Sequence, residues 1–396
     1  MNPLHDDPDA AREALFGLIA ADHDDDSVRD RRARAVWSAL CEPGDGDAGV
    51  LVAAVGATDA LRLVTADDAT AVAAAGSMDA ERAREALDRW RPRLAPGPIA
   101  SSFDTARRAA VRLVVPGDAG WPARVDDLGP HAPLCLWVRG SLPAGVVSAV
   151  AIVGARAATS YGEHVAMELA ADLAGDGIRI ISGAAYGIDG AAHRAALSVG
   201  GATDALLAGG VDRAYPSGHE DLLGRVARRG AVMSEVACGA APTKWRFLAR
   251  NRLIAAMADA TVVVEAGWRS GSLNTAGHAA SLGRALGAVP GPVTSPASAG
   301  CHRLLREYDA RCITSAADIR EMLGAAQEVL PGAEEWVDEM TALRDALSTR
   351  AWRAPDDIAR RCGQSIADVE RGLGLLLLDG RAQHGPGGWR LVTTRR

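Results

Sequence analysis

The stretch Ala151–Asp189, AIVGARAATSYGEHVAMELAADLAGDGIRIISGAAYGID, decides the fold of this chain. An apolar run at Ala149–Val153 predicts a buried strand, and Gly154 turns the chain directly after it. A helix is expected next, with Ser160 as its N-cap and with its end inside Gly175–Gly177. The first half of the stretch therefore predicts a strand, a glycine turn and a helix.

The second half of the stretch returns to the sheet. The apolar run Ile178–Ile181 predicts another strand, and Gly183 turns the chain again. Strand, turn, helix and strand make a parallel crossover unit, whose carboxyl edge suits an anion. Because strand and helix patterns keep alternating to about Ile313, the sequence predicts an α/β fold, an extended Rossmann-type doubly wound parallel sheet, over residues 105–325.

The composition is that of an ordinary globular protein. The chain has 396 residues, 48% hydrophobic and 23% charged, with a formal net charge of −7. This length allows two or three domains, and the negative charge means that a nucleic-acid partner would need a local basic face. Six scattered cysteines without a CxxC pair favour reduced thiols in a cytoplasmic protein. No signal peptide is recognisable, and no run of about 18 apolar residues is present.

The region before the sheet is rich in alanine and helical in pattern. Residues 1–95 are predicted to form a helical domain, either a SAM-like bundle or a helix-hairpin-helix-like element. The acidic first thirty residues are expected to be solvated or frayed. Pro-rich Arg91–Gly97 is interpreted as a linker.

The region after the sheet predicts a small separate domain. Glu328–Glu339, with several acids, is interpreted as a linker, and residues 335–396 have the helix, helix-turn-helix and hairpin pattern of a winged helix. Its candidate recognition segment, Ile366–Asp379, contains Arg371 as the only basic residue. That single charge is weak support for direct reading of DNA bases, and a protein contact is the alternative.

The first glycine turn does not fit a nicotinamide cofactor. A dinucleotide site needs three spaced glycines and a carboxylate at the end of the second strand, whereas Asp176 precedes that strand. The only lysine, Lys244, is not in a phosphate-loop context. Arg156 follows the first strand beside a helix start, where a guanidinium can clamp a phosphate; a surface arginine paired with an acid is the alternative.

A second candidate lies in PTKWRFLARNRLIAAMADATVVVEA, where cations and aromatic residues alternate. Cations for the phosphates and aromatic faces for the bases are what single-stranded nucleic acid requires. A charged helix start that covers an apolar helix explains the pattern equally well. The cations are Lys244, Arg246, Arg250 and Arg252, and the aromatic residues are Trp245 and Phe247.

A third turn, Ser270–Ser272, again places small residues between a strand and a helix, where free N–H groups suit an anion. None of the three turns is specific alone, but all are predicted at one edge of one sheet. The histidines are isolated, without the spacing of a metal site, and no GxSxG nucleophile motif is present.

These motifs resemble a known family. IVGARAATSYG, ISGAAYGIDGAAH, LAGGVDRAYPSGHEDL, FLARNRLIAAMADATVVVEA, SGSLNTA and GRALGAVPGPV occur in the order seen in the DNA-processing protein A (DprA or Smf) family. The resemblance covers Val111 to Ile313. It implies a cytoplasmic recombination mediator without enzymatic activity, cofactor or metal. Such a protein binds single-stranded DNA in a Rossmann pocket, protects incoming DNA during natural transformation, loads the RecA recombinase and forms a homodimer through the Rossmann domain.

The turns and the resemblance together give a set of predicted DNA-binding residues. Tyr186 departs from the family, many members of which have a basic residue there; either the phosphate contact is weaker at this position or stacking replaces charge. The set is Gly154, Arg156, Ser160, Ser182, Gly183, Tyr186, Lys244, Phe247, Arg250, Asn251, Arg252, Ser270, Gly271 and Ser272.

The rival hypothesis is an enzyme. The cytokinin-activating nucleotide phosphoribohydrolases (LOG-like enzymes) have a related Rossmann fold and a PGGxGTxxE motif whose Glu serves glycosidic-bond chemistry. This chain has EAGWRSGSLNTA there instead, so Glu235 and Glu265 are the nearest carboxylates. A plain nucleotide-binding scaffold is a third reading, but it leaves the Lys244–Arg252 segment unexplained.

Overall fold

A computed structural model of the chain describes residues 7–145, 147–324, 340 and 342–392. The chain forms two compact units, Met1–Gly324 and Ala325–Arg396. The first unit contains a helical region and a nine-stranded sheet, and the second contains the helices and the hairpin of a winged helix.

Aspartates cap most of the N-terminal helices. Asp24 and Asp79, for example, accept hydrogen bonds from the backbone N–H groups of Ser27 and Arg82 in the first turns of their helices. The expectation of a frayed tail is therefore wrong for this stretch, because the acidic cluster around Asp24 starts a helix. The six helices are α1 Pro8–Leu15, α2 Asp25–Leu40, α3 Gly46–Ala66, α4 Ala69–Ala75, α5 Ala80–Trp90 and α6 Pro96–Arg108.

The predicted linker at Arg91–Gly97 is wrong as well. A 3-10 turn, Arg91–Arg93, runs almost directly into α6, for which Pro96 supplies the first residue. Phe103 of α6 lies 6.1 Å from Trp137 on the sheet, ring centroid to ring centroid. The helical region and the sheet thus share one hydrophobic core. The prolines near residue 95 indicate a break in the chain but say nothing about this packing.

Helix α3 is long and apolar enough to cross a membrane by length and composition, alone among the helices that the structure describes. It is bent at Gly56, and its Leu51, Leu61 and Val64 side chains are buried in the core that it shares with α2. These contacts are those of a core helix in a globular protein.

The sheet has the predicted doubly wound topology. Its order is β1-β2-β6-β5-β4-β3-β7-β8-β9, with β1 and β2 antiparallel to their neighbours and all other pairs parallel. The order reverses between β3 and β7, the position at which such sheets bind ligands. The strands are β1 Arg112–Val114, β2 Leu136–Gly140, β3 Ala149–Val153, β4 Arg179–Ser182, β5 Thr203–Leu206, β6 Ala231–Ser234, β7 Ala260–Val263, β8 Ala285–Ala288 and β9 Arg311–Cys312.

Helices cover both faces of the sheet. Helices α7, α8 and α13 pack on one face, and α10, α11 and α12 pack on the other. Thr159, rather than the predicted Ser160, is the N-cap of α7, because its hydroxyl accepts the N–H of Gly162. The helices are α7 Ser160–Gly175, α8 Ile188–Ser198, α9 Glu220–Arg229, α10 Lys244–Met257, α11 Ser272–Ser281, α12 Ala299–Glu307 and α13 Ala316–Met322.

The second unit has a winged-helix arrangement. Helices Pro355–Cys362 and Ile366–Leu378 are followed by a hairpin of strands Ala382–Gly385 and Gly388–Leu391. Its own small core includes Ile358. The predicted linker at 328–339 lies outside the described residues.

Candidate nucleic-acid interface

The first turn, after β3, is closed by Glu265. The Glu265 carboxylate is buried and accepts hydrogen bonds from the backbone N–H and the hydroxyl of Thr159, both at 2.8 Å. The backbone carbonyl of Glu265 accepts the N–H of Ala155 at 2.7 Å. The protein's own carboxylate therefore lies at the start of α7, beside the turn where a phosphate is expected; contact of Gly154 and Ser160 with DNA stays a prediction.

The second turn, after β4, is held by Arg250. The Arg250 guanidinium is buried and donates to the backbone carbonyls of Gly183, at 2.8 Å, and of Leu206. Burial lowers the pKa of Arg250 to about 10, while the carboxylate of Asp189 favours the charged form. A Cβ on Gly183 would lie 2.5 Å from this guanidinium, so glycine is required for the contact. Ser182 is buried and donates to the Ile152 carbonyl at 2.6 Å.

The rest of the basic RNR segment is also internal. The Arg252 guanidinium donates to the carboxylate of Glu235, at 2.7 and 3.1 Å, and to the carbonyl of His131. Asn251 donates to the backbone carbonyl of Gly271 at 3.3 Å, which ties α10 to the third turn. In the structure Arg250, Asn251 and Arg252 thus connect the turns to each other, and direct contact of these residues with DNA stays a prediction.

The third turn is largely satisfied within itself. The hydroxyls of Ser270 and Ser272 are hydrogen-bonded at 2.7 Å, and Ser272 is buried. The N–H groups of Leu273 and Asn274 donate to carbonyls of the same turn. Of the three predicted residues here, Gly271 is the exposed one.

Aromatic and arginine side chains remain exposed on the same edge. The Arg156 guanidinium lies 4.7 Å from the ring centroid of Phe247, and that ring lies 5.3 Å from the ring of Tyr215. The ring centroid of Tyr186 lies 4.9 Å from that of His219, which belongs to the loop that carries Tyr215. Tyr186 and Tyr215 are 50% and 46% exposed. We refer to Arg156, Tyr186, Tyr215 and Phe247 as the aromatic–arginine cluster.

Tyr215 is the residue of this cluster that the sequence interpretation missed. It follows β5 in the loop AYPSG, so an aromatic residue in a Pro- and Gly-rich turn after a strand was the available signal. The carboxyl ends of β3, β4 and β5 thus contribute Arg156, Tyr186 and Tyr215, and the start of α10 contributes Phe247.

The start of α10 adds a further exposed cation. Lys244 is exposed, as is Trp245, 63% of whose surface is accessible. Arg246, by contrast, donates to both oxygens of Glu42, at 2.8 and 2.9 Å, and to the Ala241 carbonyl. Of the four predicted cations in this segment, Lys244 is therefore the exposed one.

The two carboxylates nearest to the site are engaged. Glu235 accepts both hydrogen bonds of Arg252, and Glu265 closes the first turn through Thr159. Both carboxylates are at least nine-tenths buried. Neither is presented to a substrate as a glycosidase carboxylate has to be.

The candidate recognition helix of the winged helix has a single arginine, and that arginine is paired. Arg371 donates to the Asp368 carboxylate at 2.7 Å, one turn earlier on the same helix. The apolar face of this helix is buried against the domain's own core, through Val369 and Leu373. This helix offers little that could read bases in a major groove.

The fold and the site define a class: a Rossmann-type protein without a dinucleotide fingerprint, whose strand-edge turns expose aromatic and cationic side chains. Residues 112–324 match the family model described as DNA recombination-mediator protein A, and residues 329–388 match the DprA winged helix domain. The chain belongs to the DprA (Smf) family of DNA-processing proteins.

Individual relatives agree with this assignment. The chain is 43% identical over 383 residues to the putative DNA processing protein DprA of Mycobacterium tuberculosis, covering 91% of this chain and 94% of that protein. It is 36% identical over 267 residues to protein Smf of Escherichia coli, covering 65% and 71%. The X-ray structure of DprA from Streptococcus pneumoniae superposes with a TM-score of 0.60 at 28% identity, covering 74% of this chain and 97% of that one.

Proposed function

We propose that this protein binds single-stranded DNA along the carboxyl edge of its sheet. The aromatic–arginine cluster stacks on the bases, and Arg156 and Lys244 contact the phosphates. The observation that carries the proposal is that the exposed Arg156 guanidinium, which lies over the half-buried Phe247 ring, shares one edge of the sheet with the exposed rings of Tyr186 and Tyr215. Stacking of a base on an aromatic side chain contributes about 1–3 kcal/mol and tolerates any sequence.

The turns that the RNR segment holds by hydrogen bonds support this surface. Arg250, Asn251 and Arg252 hold the turns after β4, β7 and β6, respectively, so that the exposed side chains keep fixed positions before DNA arrives. A preorganised surface costs less conformational entropy on binding. The basic segment thereby serves DNA binding through the geometry of its neighbours.

Membership of the family supports the wider role. The protein acts as a recombination mediator in the cytoplasm: it protects incoming single strands and loads the RecA recombinase in natural transformation or recombination. It works as a homodimer through the Rossmann domain. It is not an enzyme, an assignment supported by the engagement of Glu235 and Glu265 with protein partners.

A binding titration tests the proposal. Fluorescence anisotropy with labelled single-stranded and duplex oligonucleotides is measured for the wild type, Arg156→Gln and Arg108→Gln. Arg108 is an exposed arginine at the end of α6, so its variant controls for the loss of one charge. We expect salt-sensitive preference for the single strand and weaker binding by Arg156→Gln alone. Equal binding by all three proteins would refute the assignment of the surface.

A second assay addresses the rival enzyme. Incubation with nucleoside monophosphates, followed by chromatography of free bases, is expected to show no hydrolysis. Release of free base that Glu265→Gln abolishes would instead support a phosphoribohydrolase.

A further inference from the structure

A cleft lies between the N-terminal helical region and the start of α10. Its volume is about 520 Å³, within the roughly 300–1,000 Å³ typical of ligand sites. One wall is the α2–α3 loop with the end of α5, and the other is Trp245, the most exposed tryptophan that the structure describes. Its other lining residues are Leu40, Cys41, Glu42, Pro43, Gly44, Asp45, Arg89, Trp90 and Arg93.

Both walls of the cleft are fixed to each other. Arg246 of α10 donates twice to Glu42 of the α2–α3 loop. The Nδ1 atom of His131 lies 2.9 Å from the Gly44 carbonyl, and a Cβ on Gly44 would lie 2.9 Å from the Arg252 guanidinium. The shape of the cleft is therefore fixed by contacts within the first unit.

Trp245 lies among the first four residues of α10, as do Lys244 and Phe247 of the surface proposed for DNA. Residues two apart on an α-helix point roughly 200° away from each other, so Trp245 and Phe247 project from opposite sides of α10. Lys244 lies next to both at the helix start. A strand whose bases stack on Phe247 can pass its phosphates across Lys244 and reach Trp245 with the next bases.

The charges of the cleft allow this path. Arg93 and Arg246 both contact the Glu42 carboxylate, and although burial opposes its ionisation, their hydrogen bonds and charges hold the pKa of Glu42 below its usual range. Asp45 accepts the Trp90 indole N–H at 2.8 Å and two backbone N–H groups. Each acid of the cleft thus has a donor of its own, and the exposed arginines at the rim, Arg89 and Arg93, pair with Asp47 and Glu42.

We infer that this cleft is a second base-binding site, in which Trp245 stacks on a nucleobase of the single strand held by the aromatic–arginine cluster. The inference rests on the proposed function. If it holds, the N-terminal helical region takes a direct part in DNA binding, because its α2–α3 loop and the end of α5 form the wall of the cleft opposite Trp245.

The test compares Trp245→Ala, Trp245→Phe and the control Phe16→Ala on two probes. Phe16 is an exposed aromatic residue of the helical region that does not line the cleft. One probe is a labelled oligothymidylate, and the other has the same length with abasic sites in place of the bases. Trp245→Ala should bind thymidylate roughly 5- to 150-fold more weakly than the wild type, Trp245→Phe should recover most of the loss, and Phe16→Ala should change little.

The abasic probe separates stacking from every other effect. Because it retains the phosphates and lacks the bases, Trp245→Ala and the wild type should bind it within about twofold of each other. An equal loss on both probes, or wild-type binding of thymidylate by Trp245→Ala, would overturn the inference. If Arg156→Gln is impaired while Trp245→Ala is not, the cleft alone is refuted. If the wild type does not bind thymidylate at all, the proposed function fails with it.

Discussion

Replacement of Arg250 by methionine tests whether the basic segment is a brace or a phosphate ligand. Methionine retains an apolar chain but donates no hydrogen bond. The variant leaves the buried carbonyls of Gly183 and Leu206 without the guanidinium, and it removes the positive charge near buried Asp189. An unsatisfied buried polar group costs about 1–3 kcal/mol, so the two carbonyls together give a loss of about 2–6 kcal/mol.

The expected result is a lower melting temperature, on the order of 10 °C, since each kcal/mol shifts Tm by about 2–4 °C in a domain of comparable size. Thermal unfolding followed by circular dichroism measures it. Arg156→Gln is the matched control, because this exposed arginine should leave Tm unchanged while it weakens DNA binding. The reasoning is refuted if Arg250→Met has the same Tm as the wild type yet loses affinity for single-stranded DNA, since Arg250 would then be a DNA ligand.

Three other outcomes are expected. Lys244→Ala should lower the slope of log affinity against log salt by about 0.7, the value for one phosphate on a single strand, in anisotropy titrations; an unchanged slope would exclude the contact. Gly183→Ala should cost about 1–3 kcal/mol in urea unfolding through its clash with Arg250, whereas Gly175→Ala, with open space around its Cβ position, should not; equal midpoints would contradict this. Burial lowers the pKa of His193 to about 3, below its ordinary value of about 6.5, so the unfolded chain binds the extra proton. His193 alone should therefore lower stability by about 1.4 kcal/mol for each unit that the pH falls between 6.5 and 3, and the wild type should lose more stability over this range than His193→Asn in unfolding titrations; equal pH dependence of the two proteins would refute it.

The fold was accessible from sequence because its signals are local. Apolar runs that end in glycine turns predicted β3 and β4 to within one residue, and the alternation of strand and helix patterns predicted the parallel order. The linker prediction at Arg91–Gly97 was wrong because Pro96, which looks like a linker residue, is the first residue of α6.

The site was only partly accessible because its partners are distant in the chain. Composition shows cations in the Lys244–Arg252 segment but cannot show that Arg246 and Arg252 meet Glu42 and Glu235, 204 and 17 residues away. The second half of α10, Arg250–Met257, is buried on all sides, so its buried residues do not follow the one-sided pattern by which sequence predicts burial on a helix. That the turns lie at one edge of the sheet was predictable from sequence. Which arginines are buried among these turns and which are exposed was not.

Site-specific crosslinking tests the central claim most directly. An oligonucleotide that carries 5-iododeoxyuridine is irradiated with the full-length wild-type protein, and adducts are located by peptide mass spectrometry. Adducts are expected on the aromatic residues of the carboxyl edge, the exposed Tyr186 and Tyr215 and the half-buried Phe247. Adducts confined to the winged helix, or to surfaces away from this edge of the sheet, would contradict the assignment of the DNA-binding surface.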